Sequence, residues 1–366
     1  MERNPSYSLF LGFLLATGIA SAPAWARFDS VPGSRYTAAR AAALGDSYLP
    51  LGEDAAAALF YNPANVGKIR KTVVEPLNLS LDVNSGYINS IDRNFLKVTG
   101  LDGYAGTLMN YPANRPGVGA SLLPSFATRG FAFGFLAQSS LMAQAVGTNI
   151  NYRALYQFIP TVATGLRLAS GVLRLGYSLQ WVNKASGDLT VAQSASPMGW
   201  LEGLAQGSAF SHNFGLAFTL PFEYLPSLNV VARNVAGAHY TTSTLFSVAK
   251  NTSGPPADDP MSIDASFSIQ PRIAQGAYFN WIVQMRDLTN ASGTPFLVRM
   301  TAGLEIVIKD YFNIRGGFGS GYPSAGIGLK SKRGEFSISW YSEELGTSWH
   351  ANQNEKFIFN YQLRVF

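Results

Sequence analysis

The chain has 366 residues, no cysteine and a formal net charge of +5, with 47% hydrophobic, 13% aromatic and only 13% charged residues. The charged share is about half that of an ordinary soluble domain, and the missing cysteines exclude disulfides, zinc–thiolate sites and thiol catalysis. No run of about 18 apolar residues follows the N-terminal region, so no transmembrane helix is expected in the mature chain. Without a basic block or a basic stripe interleaved with aromatics, nucleic acid is a poor partner.

Residues 1–26 read as an export signal: Arg3 precedes an apolar core from Leu9 to Ala20, and Ala24 and Ala26 fit a small-residue cleavage site before Arg27. Next comes "GEDAAAALFYNPANVGK", residues 52–68, the densest helix-forming run in the chain. Its small apolar residues suit burial on all sides, and Pro63 ends the helix at Asn62. Residues 27–72 are therefore expected to form a short helical hatch, and 73–366 a barrel.

From residue 73 onward the dominant signal is alternation. In "FLVRMTAGLEIVIK" the residues Phe296, Val298, Met300, Ala302, Leu304, Ile306 and Ile308 share one phase, and Arg299, Thr301, Gly303, Glu305 and Lys309 the other. Over about ten residues this places one face in lipid and the other toward a polar lumen. Comparable runs predict strands over 73–83, 117–126, 131–140, 150–168, 172–185, 209–220, 228–236, 261–270, 274–286, 296–308, 311–319, 323–331, 334–343 and 356–366. The expected fold class is an all-β transmembrane antiparallel barrel of about 14 strands, with the hatch in its lumen. Connections after odd strands are mostly long (84–116, 141–149, 186–208, 237–260, 287–295, 344–355), and those after even strands mostly short. This is the outer-membrane pattern of external loops and periplasmic turns.

The inward phase carries Arg174, Arg233, Asp264, Arg286, Arg299, Glu305 and Arg315. Charges in a lumen must be paired or wet, so a network fixing the hatch, or a polar or carboxylate-binding path, is expected there. Two loops carry apolar residues at helical spacing: Phe95, Leu101 and Leu108, and Trp200, Leu201 and Leu204. They would either pack together as a lid or capture an apolar ligand. His212, His239 and His350 have no triad partners in a suitable spacing. "GGFGSG" at 316–321 lacks the lysine and following helix of a phosphate loop. Asp258-Asp259 reads as a solvated acidic pair. No enzyme, cofactor or metal site is expected.

Residues 39–67, "ARAAALGDSYLPLGEDAAAALFYNPANVG", resemble the N-terminal hatch of the outer-membrane FadL superfamily, which includes fatty-acid and aromatic-hydrocarbon transporters and PorV-type secretion proteins. Gly45, Asp54-Ala55-Ala56-Ala57 and Asn62-Pro63-Ala64 carry the pattern, and Asn65 departs from it where the family has glycine. Residues 230–237 and 303–330 look more like PorV-type members. The C-terminal aromatic Phe366 falls out of phase with Phe357, Phe359, Tyr361, Leu363 and Val365. The resemblance implies an outer-membrane channel for passive uptake of small hydrophobic molecules, with Asn62 at the gate. The alternative is a PorV-like protein that binds partner proteins in secretion or surface attachment. Outer-membrane lipid, the barrel-assembly machinery, and a hydrophobic small molecule or a secreted protein are the expected partners. An apolar cavity between loops and hatch would favour transport.

Overall fold

The structure, a computed structural model, describes residues 35–52, 54–90, 108–112, 114–192, 201–309, 311–346 and 348–365. The signal segment, Phe95, Leu101, Trp200 and Phe366 lie outside the described residues.

Fourteen antiparallel strands close into one barrel. In chain order they are β1 (Val73–Glu75 and Leu77–Asn84), β2 (Gly117–Leu122 and Ser125–Thr128), β3 (Phe131–Val146), β4 (Asn149–Leu168), β5 (Leu173–Ala192), β6 (Ala205–Thr219) and β7 (Ser227–Arg233). There follow β8 (Ser262–Ile269 and Arg272–Ala274), β9 (Ala277–Met285), β10 (Met300–Ile308), β11 (Phe312–Gly319), β12 (Tyr322–Lys330), β13 (Gly334–Glu344) and β14 (Gln353–Leu363). The three interrupted strands break at Pro76, Pro124 and Pro271, each of which lacks an N–H for the ladder. Neighbours in sequence pair throughout, and β14 closes on β1 with Phe359 opposite Leu81.

The two phases of every strand are separated by burial. On β10, Thr301, Gly303, Glu305 and Val307 are buried, whereas Leu304 and Ile308 are exposed. Each strand in turn exposes large apolar side chains outward: Leu81, Phe126, Phe131, Val162, Leu175, Phe214, Leu228, Phe267, Trp281, Leu304, Ile314, Ile327, Phe336 and Phe359. Such a belt, too extensive for water, is the lipid-facing surface of an outer-membrane barrel.

Two expectations need correction. The long loop at 141–149 is a tight hairpin, Val146 opposite Asn149, closed by Gly147 at φ +60. Glycine supplies the positive φ that such a two-residue turn requires. Residues 296–299 are a helical turn after Pro295, so β10 starts only at Met300.

The β3–β4 and β4–β5 hairpins run far past the membrane. Strands β4 and β5 have 20 residues each, or about 66 Å of chain at about 3.3 Å per residue; a tilted span needs about 9–11 residues. Above the bilayer the outward face of this tower would meet water. It is covered instead. Leu108 and Met109 pack on Ala143, Ala145, Ile150 and Tyr152, while Leu201, Leu204, Val248 and Ala249 pack on Ala154 and Ala185.

Leu304→Arg should therefore destabilise the barrel by about 2–4 kcal/mol if it sits at mid-bilayer. Denaturant titrations of folding into lipid vesicles measure this, and an unchanged midpoint would mean that the phase is misassigned.

Candidate functional site

Residues 35–69 run inside the ring. The first helix, Ala39–Ala43, has Ala39, Ala41, Ala42 and Ala43 buried against the wall. Gly45 follows with φ +65, and a Cβ there would collide with the Phe318 backbone of β11. The Asp54 carboxylate accepts from the Ala57 amide at 2.7 Å and from the Tyr48 hydroxyl at 2.8 Å, so it caps the alanine run. That run is a π-helical turn, Ala57–Tyr61, fully buried. Asn62 Oδ1 accepts from Ala64 N at 3.0 Å and its Nδ2 donates to Leu49 O at 3.3 Å. Pro63 then opens a 3-10 helix, Pro63–Lys68. Asn65, the departure from the family pattern, donates to Leu49 O at 3.0 Å and so fastens the same loop. The Asn62-Pro63-Ala64 turn lies on Gly176 of β5 and Gly215 of β6, where any Cβ would strike it.

The wall completes the backbone bonds that this segment leaves open. Arg233 donates to Phe60 O and Tyr61 O, both at 2.9 Å, and Gln180 to Leu59 O at 3.2 Å. These carbonyls end the π-turn and have no partner of their own. Glu305, fully buried, receives a bidentate Arg40 at 2.8 and 2.6 Å, Arg315 at 2.8 Å and Asn280 at 2.8 Å. Arg315 reaches on to Glu335 at 2.7 Å. Arg286 pairs with Asp46 at 2.9 Å, and Arg233 with Asp264 at 2.7 Å.

Two members of the expected inward set behave differently. Arg299 holds its own loop, donating to Thr294 O and Asp287 O at 2.9 and 2.6 Å. Arg174 has no carboxylate partner among the described residues; it donates to Thr219 Oγ1 at 2.8 Å. Asn62 bonds to Leu49, within the segment, rather than to a wall charge. Of the acidic pair Asp258-Asp259, Asp258 is exposed as expected, but Asp259 accepts from Arg35 at 2.7 Å and from the Tyr240 hydroxyl at 2.8 Å. Burial alone would raise the Asp259 pKa, but Arg35 and Lys184 hold its carboxyl below the usual range. Sequence reasoning missed Arg35, Arg40 and Asp46, the segment's own halves of these pairs.

The loop after β7 crosses the rim and straps the outer wall. Leu245 N donates to Asn183 Oδ1 at 2.8 Å, and Val248 N to Gln206 Oε1 at 3.0 Å. Phe246 sets its ring edge-on to Phe158, centroids 5.1 Å apart. Asn183 and Gln206 occupy outward positions that lipid would not tolerate, and the strap satisfies them. Beneath it lies an apolar cavity of about 380 Å³, lined by Leu79, Leu122, Ala137, Tyr156, Phe158 and Phe246 among others. Among the described residues, the apolar space is thus on the outer wall and not between loops and inner segment. Cavities of about 160 and 240 Å³ that touch the segment are lined by charged and polar groups. Leu108, Leu201 and Leu204 cover the tower and do not line the groove.

No family model and no curated protein matches the chain. Among solved structures, the toluene transporter TodX of Pseudomonas putida matches at a TM-score of 0.52 and 11% identity, over 90% of this chain and 97% of its own. Another crystal structure of the same transporter gives a TM-score of 0.46 at 11% identity, over 91% and 97%. The chain has the TodX fold. At 11% identity the likeness is one of fold, and that fold is the barrel with an inner N-terminal segment that the motif at residues 39–67 implies.

Glu305→Gln should cost about 3–5 kcal/mol, because it removes the carboxylate that two buried arginines share, leaving Arg40 with Asp54 only at 4.0 Å and Arg315 with Glu335 alone. Ser324→Ala, which removes one neutral bond to Ala43 O, should cost about 1 kcal/mol. Denaturation in vesicles, with trypsin cleavage at Arg40 as a reporter of a released segment, checks both; equal stability of the two variants would show that the cluster does not hold the segment.

Proposed function

We propose that the protein is an outer-membrane channel for the passive uptake of small hydrophobic molecules, in which residues 35–69 close the lumen and the groove under the 241–249 strap receives the ligand. The observation that carries this reading is the position of the apolar cavity. Leu79, in the same phase as the exposed Leu81, and Leu122 opposite it line the cavity, and its volume falls within the range of small-molecule pockets. A hydrophobic molecule entering from the loops would leave water there and slide sideways into the bilayer along apolar side chains. The polar lumen would offer it no gain. TodX, a toluene transporter by name, supports the substrate class. The protein would be exported with residues 1–26 removed and assembled by the outer membrane's barrel machinery.

The PorV-like alternative rested on residues 230–237 and 303–330. In the structure these contain Arg233, Asn234, Glu305 and Arg315, which face the inner segment and bind it or its neighbours. These stretches therefore form the seat of the inner segment, a role that both readings share.

Phe246→Asp should lower uptake of labelled toluene by about tenfold or more, equivalent to about 1.4 kcal/mol, without changing the heat-resistant mobility of the folded barrel. Unchanged uptake would exclude the groove from the route. In planar bilayers the wild type should pass little ion current, and deletion of residues 35–68 a large steady one. A folded deletion that stays closed would mean that the segment is not a plug.

A further inference from the structure

Arg167 and Arg174 stand directly opposite each other at the periplasmic end of the β4–β5 pair. Like charges in that register repel. Elsewhere in the lumen Arg40, Arg233, Arg286 and Arg315 each meet a carboxylate within 2.9 Å. Here none is found among the described residues. Arg167 donates to the Ser170 carbonyl, and Arg174 to Gly171 O at 3.3 Å and Thr219 Oγ1 at 2.8 Å. These are neutral partners. Arg174 is only 7% exposed, yet its Nε is buried with no acceptor. A buried guanidinium with a donor left over is costly unless an acceptor fills the place.

A cavity lies beside it. Lys68 and Arg70, at the end of the inner segment's 3-10 helix, join Arg167 and Arg174 around a cavity of about 240 Å³, with the Thr219 and Ser227 hydroxyls also on its wall. No acidic side chain lines it. Lys68 donates to the Pro50 carbonyl, so the exit of the inner segment is itself tied to the cavity wall.

We propose that this cavity is an oxyanion site of the phosphate class, in which the anion sits between Arg167 and Arg174 and is closed from the segment side by Lys68 and Arg70. Two guanidiniums lining one cavity suit a tetrahedral oxyanion, which can accept from both. Filling the site cancels the cross-strand repulsion and links the 3-10 helix to the β4–β5 turn. Leu166, Leu168 and Leu225 are exposed around that turn, so the phosphate could be a phospholipid headgroup of the facing leaflet or a free ion. The site does not depend on the transport reading.

Titration calorimetry of the full chain in non-ionic detergent, with inorganic phosphate against chloride at matched ionic strength, tests it. Wild type should bind phosphate, and Arg174→Gln should weaken that binding by about tenfold or more. Lys330→Gln, at the same end but outside the cavity, should leave it unchanged. Arg167→Gln in chloride should melt no lower than wild type, since it removes the repulsion; this separates loss of the site from loss of the fold. Absence of phosphate binding, or equal affinity in wild type and Arg174→Gln, would overturn the site. Native mass spectrometry after extraction from phosphatidylglycerol vesicles identifies the source. Retained lipid that is lost in Arg174→Gln assigns a headgroup, and phosphate binding without retained lipid assigns a free anion.

Discussion

A ring of fourteen strands encloses more space than its own side chains can fill, and in the filled part every inward polar atom must find a partner other than bulk water. Residues 35–69 answer both demands together. Their alanines bring bulk without polar atoms, so they pack wherever the wall leaves room. Their arginines and aspartate reach specific wall charges. Glu305 shows how tightly the two are joined: one carboxylate takes Arg40 from the segment and Arg315 from the neighbouring strand. Remove either arginine and the carboxylate faces an unbalanced lumen. The wall has adapted in turn, with Gly176, Gly215 and Gly317 placed where the segment's backbone approaches most closely. Neither sequence makes sense without the other.

The outward face obeys a different constraint, because it crosses two solvents. The same phase that meets lipid on the lower part of β3, β4 and β5 would meet water on the upper part. Exposed rows of Ile150, Tyr152 and Tyr156 there would invite aggregation. Three loops cover them. Two do so with leucines, and the third does so with a strap whose backbone N–H groups bond to Asn183 and Gln206. The long hairpins and the loops after β1, β5 and β7 therefore form one construction.

Much of this was legible in the sequence. Period-two alternation gives the strand number, the phase and the assignment of Leu304 and Glu305 to opposite faces. The Ala-rich run and Asn62-Pro63 give the helical segment and where it stops. What could not be read was of two kinds. Some elements mimic others locally: residues 296–299 alternate like a strand, but Pro295 and the bond from Arg299 to Thr294 O curl them into a turn, and Gly147-Thr148 carries too little signal to announce a tight hairpin. The other kind is pairing over long sequence separation. Nothing near Glu305 names Arg40, and nothing near Asp259 names Arg35. One signal was present and went unread. Asn183 and Gln206 are polar residues in an apolar phase, and a break of that sort marks a place where something other than lipid covers the wall.

On the proposed function, the two faces would serve two kinds of traffic. The lumen is lined by ion pairs and amides, and a hydrocarbon passing through it would displace water from polar groups to which it offers no hydrogen bond. The outer wall under the strap differs: the cavity there presents mainly apolar surface from Leu79, Leu122, Ala137, Tyr156, Phe158 and Phe246, with Asn183 and Gln206 tied up by the strap. Ions gain nothing from that surface, since a charge moved along it would lose its hydration. A barrel built this way has no need to open its lumen in order to pass an apolar molecule. The segment inside could stay locked by Glu305 and Arg233 while the proposed route ran outside the ring, so a tight seal against ions and a path for hydrophobic molecules are compatible in the same fold.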